Sequence, residues 1–123
     1  MGRLITIESS RECAALARET LSSLRLERAE VLVGRGEERV PGAFAEAGPF
    51  QLAFQDDDHR RRGTLSLADR LIESLSPRGV LLVDDIGLSA GMRRAWRTLA
   101  GDSRLAIAAD CGRAGVGVKA PAA

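Results

Sequence analysis

Apolar positions along this chain fall into two alternating patterns: short, nearly unbroken runs, and stretches in which they return every three or four residues. The first pattern fits strands and the second amphipathic helices, because side chains share a face every second residue in a strand and about every 3.6 residues in a helix. "RLITIE" (3–8) is β-branched and predicts a first strand. In "SSRECAALARETLSSL", Ser9 and Glu12 have capping-box spacing, and Cys13, Leu16, Ala17, Leu21 and Leu24 recur at helical intervals. "AEVLVG" (29–34) predicts a second strand. "EERVPGAFAEAG" allows a short helix at best, with Pro41 in its first turn or breaking it. "FQLAFQ" (50–55) predicts a third strand, and "TLSLADRLIESL" (64–75) a helix with Leu65, Ala68, Leu71, Ile72 and Leu75 on one stripe. "GVLLVDD" (79–85) lacks alternation, as expected of a strand buried on both faces. "SAGMRRAWRTLAG" (89–101) places Met92, Trp96 and Leu99 on one helical face behind a Ser89 cap, which makes Met92 and Trp96 core residues rather than pocket lining. The tail "RLAIAADCGRAGVGVKA" reads as two strands around a short turn, a hairpin.

Strands alternating with helices predict an α/β domain with a mainly parallel sheet and right-handed crossovers, closed by a C-terminal antiparallel hairpin. At 123 residues the chain holds one domain, 1–123. A net charge of +1, only 3% aromatic residues and no tyrosine argue against a nucleic-acid partner. No apolar run reaches membrane-spanning length and the start "MGRLITIESS" lacks signal-peptide character, so the expectation is a cytoplasmic protein with no membrane partner. Cys13 and Cys111 are far apart, without metal-ligand spacing, and are expected as free thiols.

In such sheets, ligands bind at the carboxyl ends of the strands. Glu8 ends the first predicted strand, Asp56 to Asp58 the third, and Asp84–Asp85 the fourth, so the acids share one edge. Aspartate is also a common turn and cap residue, and Asp57 and Asp58, just before a helix, are read that way. Asp56, Asp84 and Asp85 follow apolar strands directly. Carboxylates crowded there repel one another unless a cation or hydrogen-bond donors compensate, and oxygen-only ligands suit Mg²⁺, Ca²⁺ or Mn²⁺. Glu8 lies where a nucleotide-binding sheet uses an acid to accept from ribose hydroxyls.

Three segments carry a family resemblance: "GRLITIESSRECAALARETL", "GPFQLAFQDDDHRRRGTL" and "LSPRGVLLVDDIGLSAGMRRAW". In order and spacing they resemble the second, fourth and fifth strand regions of class I S-adenosylmethionine-dependent methyltransferases, of the cation-dependent, catechol O-methyltransferase-like branch. The resemblance implies a Rossmann-like methyltransferase sheet and methyl transfer from S-adenosylmethionine to a small-molecule hydroxyl. It implies that Glu8 binds the cofactor ribose, that Gly36 and Glu37 lie beside the adenine, and that Asp56 also borders the cofactor. Asp56, Asp84 and Asp85 match the metal-binding positions, with Mg²⁺ the implied ion. His59 is the candidate catalytic base or a metal neighbour, against the plainer reading of an exposed loop histidine, and Arg60 to Arg62 open the next helix as a solvated face.

The chain departs from that family in one large way. No Gly-x-Gly loop precedes Glu8, so the resemblance implies that the family's first strand, expected between the strands beginning at Arg3 and Phe50, is not part of this sequence. Its loss predicts two unpaired inner strand edges, which close on each other, self-associate or accept a completing partner chain. Gln51 and Gln55 also stand where the family has Asp and an apolar residue, and a buried Gln55 needs hydrogen-bond partners. Two further functions stay open: a non-catalytic methyltransferase-like binding or assembly subunit, and a nucleotide-binding module of another Rossmann-like class.

Overall fold

The computed structural model describes residues 2–56 and 60–123. The readings of Asp57 and Asp58 as caps and of His59 as a base fall outside them. The chain divides into two compact units, Met1–Ala43 and Phe44–Ala123.

In the first unit, β1 (Leu4–Glu8) and β2 (Ala29–Val33) pair in parallel from Leu4↔Ala29 to Glu8↔Val33, joined by α1 (Arg11–Ser23). The helix cap is Ser10, one residue later than the capping box predicts: its hydroxyl accepts the Cys13 N–H at 3.2 Å. The shift has a cause in Glu8, whose carboxylate folds back to accept the Ser10 N–H at 3.0 Å and leaves Ser9 in the bend. Of the predicted α1 stripe, Cys13, Leu16 and Leu24 are exposed and Ala17 and Leu21 only half-buried, while the residue of α1 that is buried is Ala14, outside the stripe. Two strands offer too narrow a surface to cover the whole stripe. α2 (Gly36–Ala47) is a full helix that carries Pro41 past its first turn. Pro41 is exposed while Val40 and Ala43 are buried, so the missing N–H lies on the solvated side.

The second unit contains β3 (Phe50–Gln55), α3 (Arg61–Ser74), β4 (Leu75–Val83), α4 (Ala90–Ala100), β5 (Leu105–Asp110) and β6 (Gly115–Lys119). Its sheet has the order β3-β4-β6-β5, with β3 and β4 parallel and β6 antiparallel to both neighbours, so the tail is the predicted hairpin. Helix α3 starts at Arg61 rather than Thr64, since Thr64 is buried and its N–H already donates to the Arg60 carbonyl. β4 begins at Leu75, earlier than the "GVLLV" run. The Ser76 hydroxyl donates to the Phe50 carbonyl at 3.2 Å, so the "SPRG" segment joins the strand across a bulge.

The core joins Ala68, Ile72, Leu81, Val83, Ile86, Trp96, Leu99 and Leu105 between α3, α4 and one face of this sheet. Met92 and Trp96 are buried, as predicted. Gly115 passes so close to the Trp96 ring that a Cβ there would lie 2.5 Å from it. Lys119 closes the far side, its ammonium donating to the Ile72 and Leu75 carbonyls at 2.8 Å as α3 ends.

β4 does alternate. Leu81 and Val83 are buried against the helices, whereas Val80 and Leu82 on the opposite face are half-buried. Register puts Val80 and Leu82 between Leu52 and Phe54 of β3 and Val116 and Val118 of β6. With Ile107 of β5 this makes an apolar face, and Leu52, Phe54 and Ile107 are each about 60% exposed. Apolar residues on both faces therefore misread as two-sided burial. Among the described residues, β1 pairs with β2 alone and β3 with β4 alone, so each strand has one unpaired edge. No helix is long and apolar enough to cross a membrane, again among the described residues.

At the end of the sheet away from the acids, Arg104 grips Asp102 with two bonds (Nε 3.1 Å, Nη2 2.8 Å) and reaches Asp69 of α3 at 2.9 Å. The Arg104 hydrogen bond holds the Asp102 pKa below its usual value, against the opposing effect of burial. A depressed folded pKa contributes stability that is present above the unfolded carboxyl value, about 4, and is lost as pH falls through the lower folded value. Urea unfolding should therefore show Asp102→Asn less stable than wild type at neutral pH, with the gap closing below about pH 4. A gap that persists unchanged into acid would show that the Asp102 charge is not its source.

Candidate functional site

The carboxyl ends of β3 and β4 lie side by side because the strands are parallel and in register through Gln55↔Val83. The ladder continues one step further, with the Asp84 N–H donating to the Gln55 carbonyl at 3.0 Å. Asp56 and Asp84 thus leave adjoining strand ends. In an extended chain Asp84 and Asp85 would point to opposite sides. Asp85 instead has φ +57°, a left-handed conformation that breaks the alternation. One carboxylate oxygen from each of Asp56, Asp84 and Asp85 then lies within 4.8 Å of the others. Asp56 is exposed and the other two are half-buried.

The donor set can be tested against a cation on geometry alone. Oxygens bound about 2.0–2.6 Å from one hard ion are at most about 5 Å apart, so the span suits Mg²⁺, Mn²⁺ or Ca²⁺. Three acidic oxygens also match the ligand chemistry of those ions.

Arg113, in the β5–β6 turn, was not among the candidates from sequence. Its Nε lies 3.3 Å from an Asp84 oxygen and 3.4 Å from an Asp85 oxygen. Its pKa is raised, first by the hydrogen bond to Asp84 and then by the charges of Asp84, Asp85 and Asp56. Its position follows from the antiparallel pairing of β6 with β4, which sets Gly115 against Val83 and so brings the residues before Gly115 to the end of β4.

Gln55 is buried, and β3 stays regular around it. Its Nε2 donates to the Thr64 carbonyl at 2.9 Å, tying the strand end to α3, while its Oε1 has no hydrogen-bond partner among the described residues.

The residues read as cofactor contacts, Asp56 apart, belong to the first unit. Glu8 ends β1, and Gly36 and Glu37 open α2 after the neighbouring β2. The Gly34 N–H donates to the Glu8 carbonyl at 3.0 Å, and Gly34 turns the chain with φ +145°. The Glu8 carboxylate is partly engaged by Ser10, and Glu37 is paired with Arg35. Gly36, Glu37 and Glu8 are therefore gathered by one pair of parallel strands. His59 lies outside the described residues.

With this geometry in place, comparison with known proteins places the chain. Residues 1–86 match the model of a methyltransferase domain, and the chain belongs to that family. No curated protein matches it. Among solved structures, it is similar to an O-methyltransferase from Bacillus cereus in complex with SAH (20% identity, TM-score 0.77, covering 97% of this chain and 63% of that one). It is also similar to TomG from Streptomyces achromogenes, an O-methyltransferase of tomaymycin synthesis in complex with SAM (22% identity, TM-score 0.78, 98% and 63%). A third is MycE of the mycinamycin pathway, in complex with Mg, SAH and mycinamycin VI (14% identity, TM-score 0.61, 76% and 32%). At these identities the likeness shows the fold: the α/β methyltransferase fold. The chain spans 63% of the length of the first two structures.

The left-handed turn at Asp85 can be tested apart from its charge. Asparagine tolerates this conformation, whereas a β-branched residue does not. Asp85→Val should cost about 1–2 kcal/mol more stability than Asp85→Asn in denaturant titrations. Equal losses would mean that the backbone there does not constrain the site.

Proposed function

We propose that this chain takes part in S-adenosylmethionine-dependent methyl transfer to a small-molecule hydroxyl, assisted by a divalent cation, Mg²⁺ first among the candidates. The observation that carries the reading is the convergence of Asp56, Asp84 and Asp85 on one point at two parallel strand ends, in a chain of the methyltransferase family. The MycE complex with Mg and SAH supports it by analogy. A cation bound by those carboxylates would hold the substrate oxygens and lower the pKa of the attacking hydroxyl.

The chain's own residues have separate tasks in this reading. Glu8 accepts the ribose hydroxyls, and Gly36 and Glu37, at the start of α2, border the adenine. Asp56 borders the cofactor as well as serving the cation. The carboxylates place the substrate oxygen in line with the sulfonium methyl, since positioning supplies much of the rate in such a displacement. His59, close to Asp56 in sequence and the chain's one histidine, is the assigned base for the hydroxyl proton. The oxygen forms its bond to the methyl carbon as the carbon–sulfur bond breaks. A cytoplasmic location is part of the proposal and is consistent with free Cys13 and Cys111.

A second reading is favoured by a specific observation: among the described residues β1 and β3 each keep an unpaired edge, and Leu52, Phe54 and Ile107 lie on an exposed apolar face. Edges and apolar faces of this kind recruit strands. We propose that a second copy or a completing chain pairs there, and that without it the chain acts as a methyltransferase-like binding or assembly subunit with little turnover. Stoichiometric S-adenosylmethionine binding would favour the first reading over this one.

Calorimetry with Mg²⁺ tests the cation assignment. Asp84→Ala should weaken binding at least about tenfold, the loss expected when a charged ligand of a hard cation is removed. Asp69→Ala, on α3, should leave binding unchanged. Equal Mg²⁺ affinity in wild type and Asp84→Ala would overturn the assignment.

A further inference from the structure

We infer that Arg113 is a tethered counter-ion of the acidic site, which a divalent cation must displace in order to bind. The inference rests on the cation reading above and adds a control element to it.

The backbone of Arg113 is held firmly. Its carbonyl accepts the Ile86 N–H at 3.0 Å, fastening the β5–β6 turn to the segment that follows β4. The turn is closed by the Cys111 N–H donating to the Ala114 carbonyl at 2.9 Å and by the Gly112 N–H donating to the Asp110 carboxylate at 2.7 Å. The side chain is held far less. It is 79% exposed, while the Asp84 and Asp85 side chains it meets are 15% and 24% exposed.

Half-buried carboxylates have lost hydration and need a compensating positive charge. One nitrogen shared between two of them supplies that charge on two of the three residues that converge for a cation. Deprotonation offers no escape, because a guanidinium stays charged at any ordinary pH. It leaves only by rotating outward, and its exposure means that no buried packing is lost when it does. A divalent ion carries twice the charge and approaches its oxygens to about 2.0–2.6 Å, against 3.3 and 3.4 Å for Arg113. When the ion is abundant, the exchange favours it. When it is scarce, Arg113 keeps Asp84 and Asp85 neutralised, and the apparent affinity for the ion falls.

The test is a Mn²⁺ titration of the full chain at low ionic strength in wild type, Arg113→Ala and Asp84→Ala, with melting curves for each. Arg113→Ala should bind Mn²⁺ about three- to fivefold tighter than wild type, the size expected for loss of an exposed competing ion pair. The difference should shrink at high salt. Without Mn²⁺, Arg113→Ala should melt below wild type, and saturating Mn²⁺ should close that gap. Binding that needs Asp84 but is equal or weaker in Arg113→Ala would overturn the counter-ion role and leave the cation reading standing. No Mn²⁺ binding in either wild type or Arg113→Ala would overturn both.

Discussion

In the parallel pairing of β3 with β4, ladder contacts run to the last residues, Gln55 opposite Val83, and the Asp84 N–H then donates to the Gln55 carbonyl. That register decides where Asp56 and Asp84 emerge. A slip of one residue would send every side chain of β3 to the other face and separate the two carboxylates. The left-handed Asp85 and the hairpin that delivers Arg113 both build on the same strand end. The pairing is secured from behind by the core beneath Leu81 and Val83, by the Gln55 bond to the start of α3, and by Lys119 at its end. Local charge and distant packing are thus joined through one strand pair.

The acidic group meets its electrostatic problem in a specific way. Three carboxylates within 4.8 Å would repel strongly if left alone. Arg113 supplies a first answer from within the chain, and a bound cation would supply a stronger one. The other imbalance is hydrophobic. β3, β4 and β6 carry apolar residues on both faces, and α3 and α4 pack against one of them. Among the described residues β1 and β3 also keep one edge each unpaired, and edges and apolar faces of this kind favour association.

Much of the fold was legible because periodicity reports burial directly. The Ser89 cap, the Met92 and Trp96 core positions and the C-terminal hairpin follow from local pattern. Among the described residues, β1 and β3 each keep an unpaired edge, as the family resemblance led one to expect. Departures arose where a tertiary contact outweighed local preference. Glu8 drew the α1 cap from Ser9 to Ser10, and the Ser76–Phe50 bond made a strand of a Pro-Gly segment. The acids of the site were legible as strand-end residues. Arg113 was not, because its role comes from antiparallel pairing between segments distant in sequence, and a turn arginine carries no local mark of that.

Strand register brings Asp56, Asp84 and Asp85 together, and the proposed cation would sit among them. Anomalous diffraction from a crystal of the chain containing Mn²⁺ tests it most directly. One anomalous peak is expected about 2.0–2.6 Å from oxygens of all three residues, with the Arg113 guanidinium turned away from Asp84 and Asp85. A strong Mn²⁺ peak elsewhere, with Arg113 still seated between those two carboxylates, would contradict it.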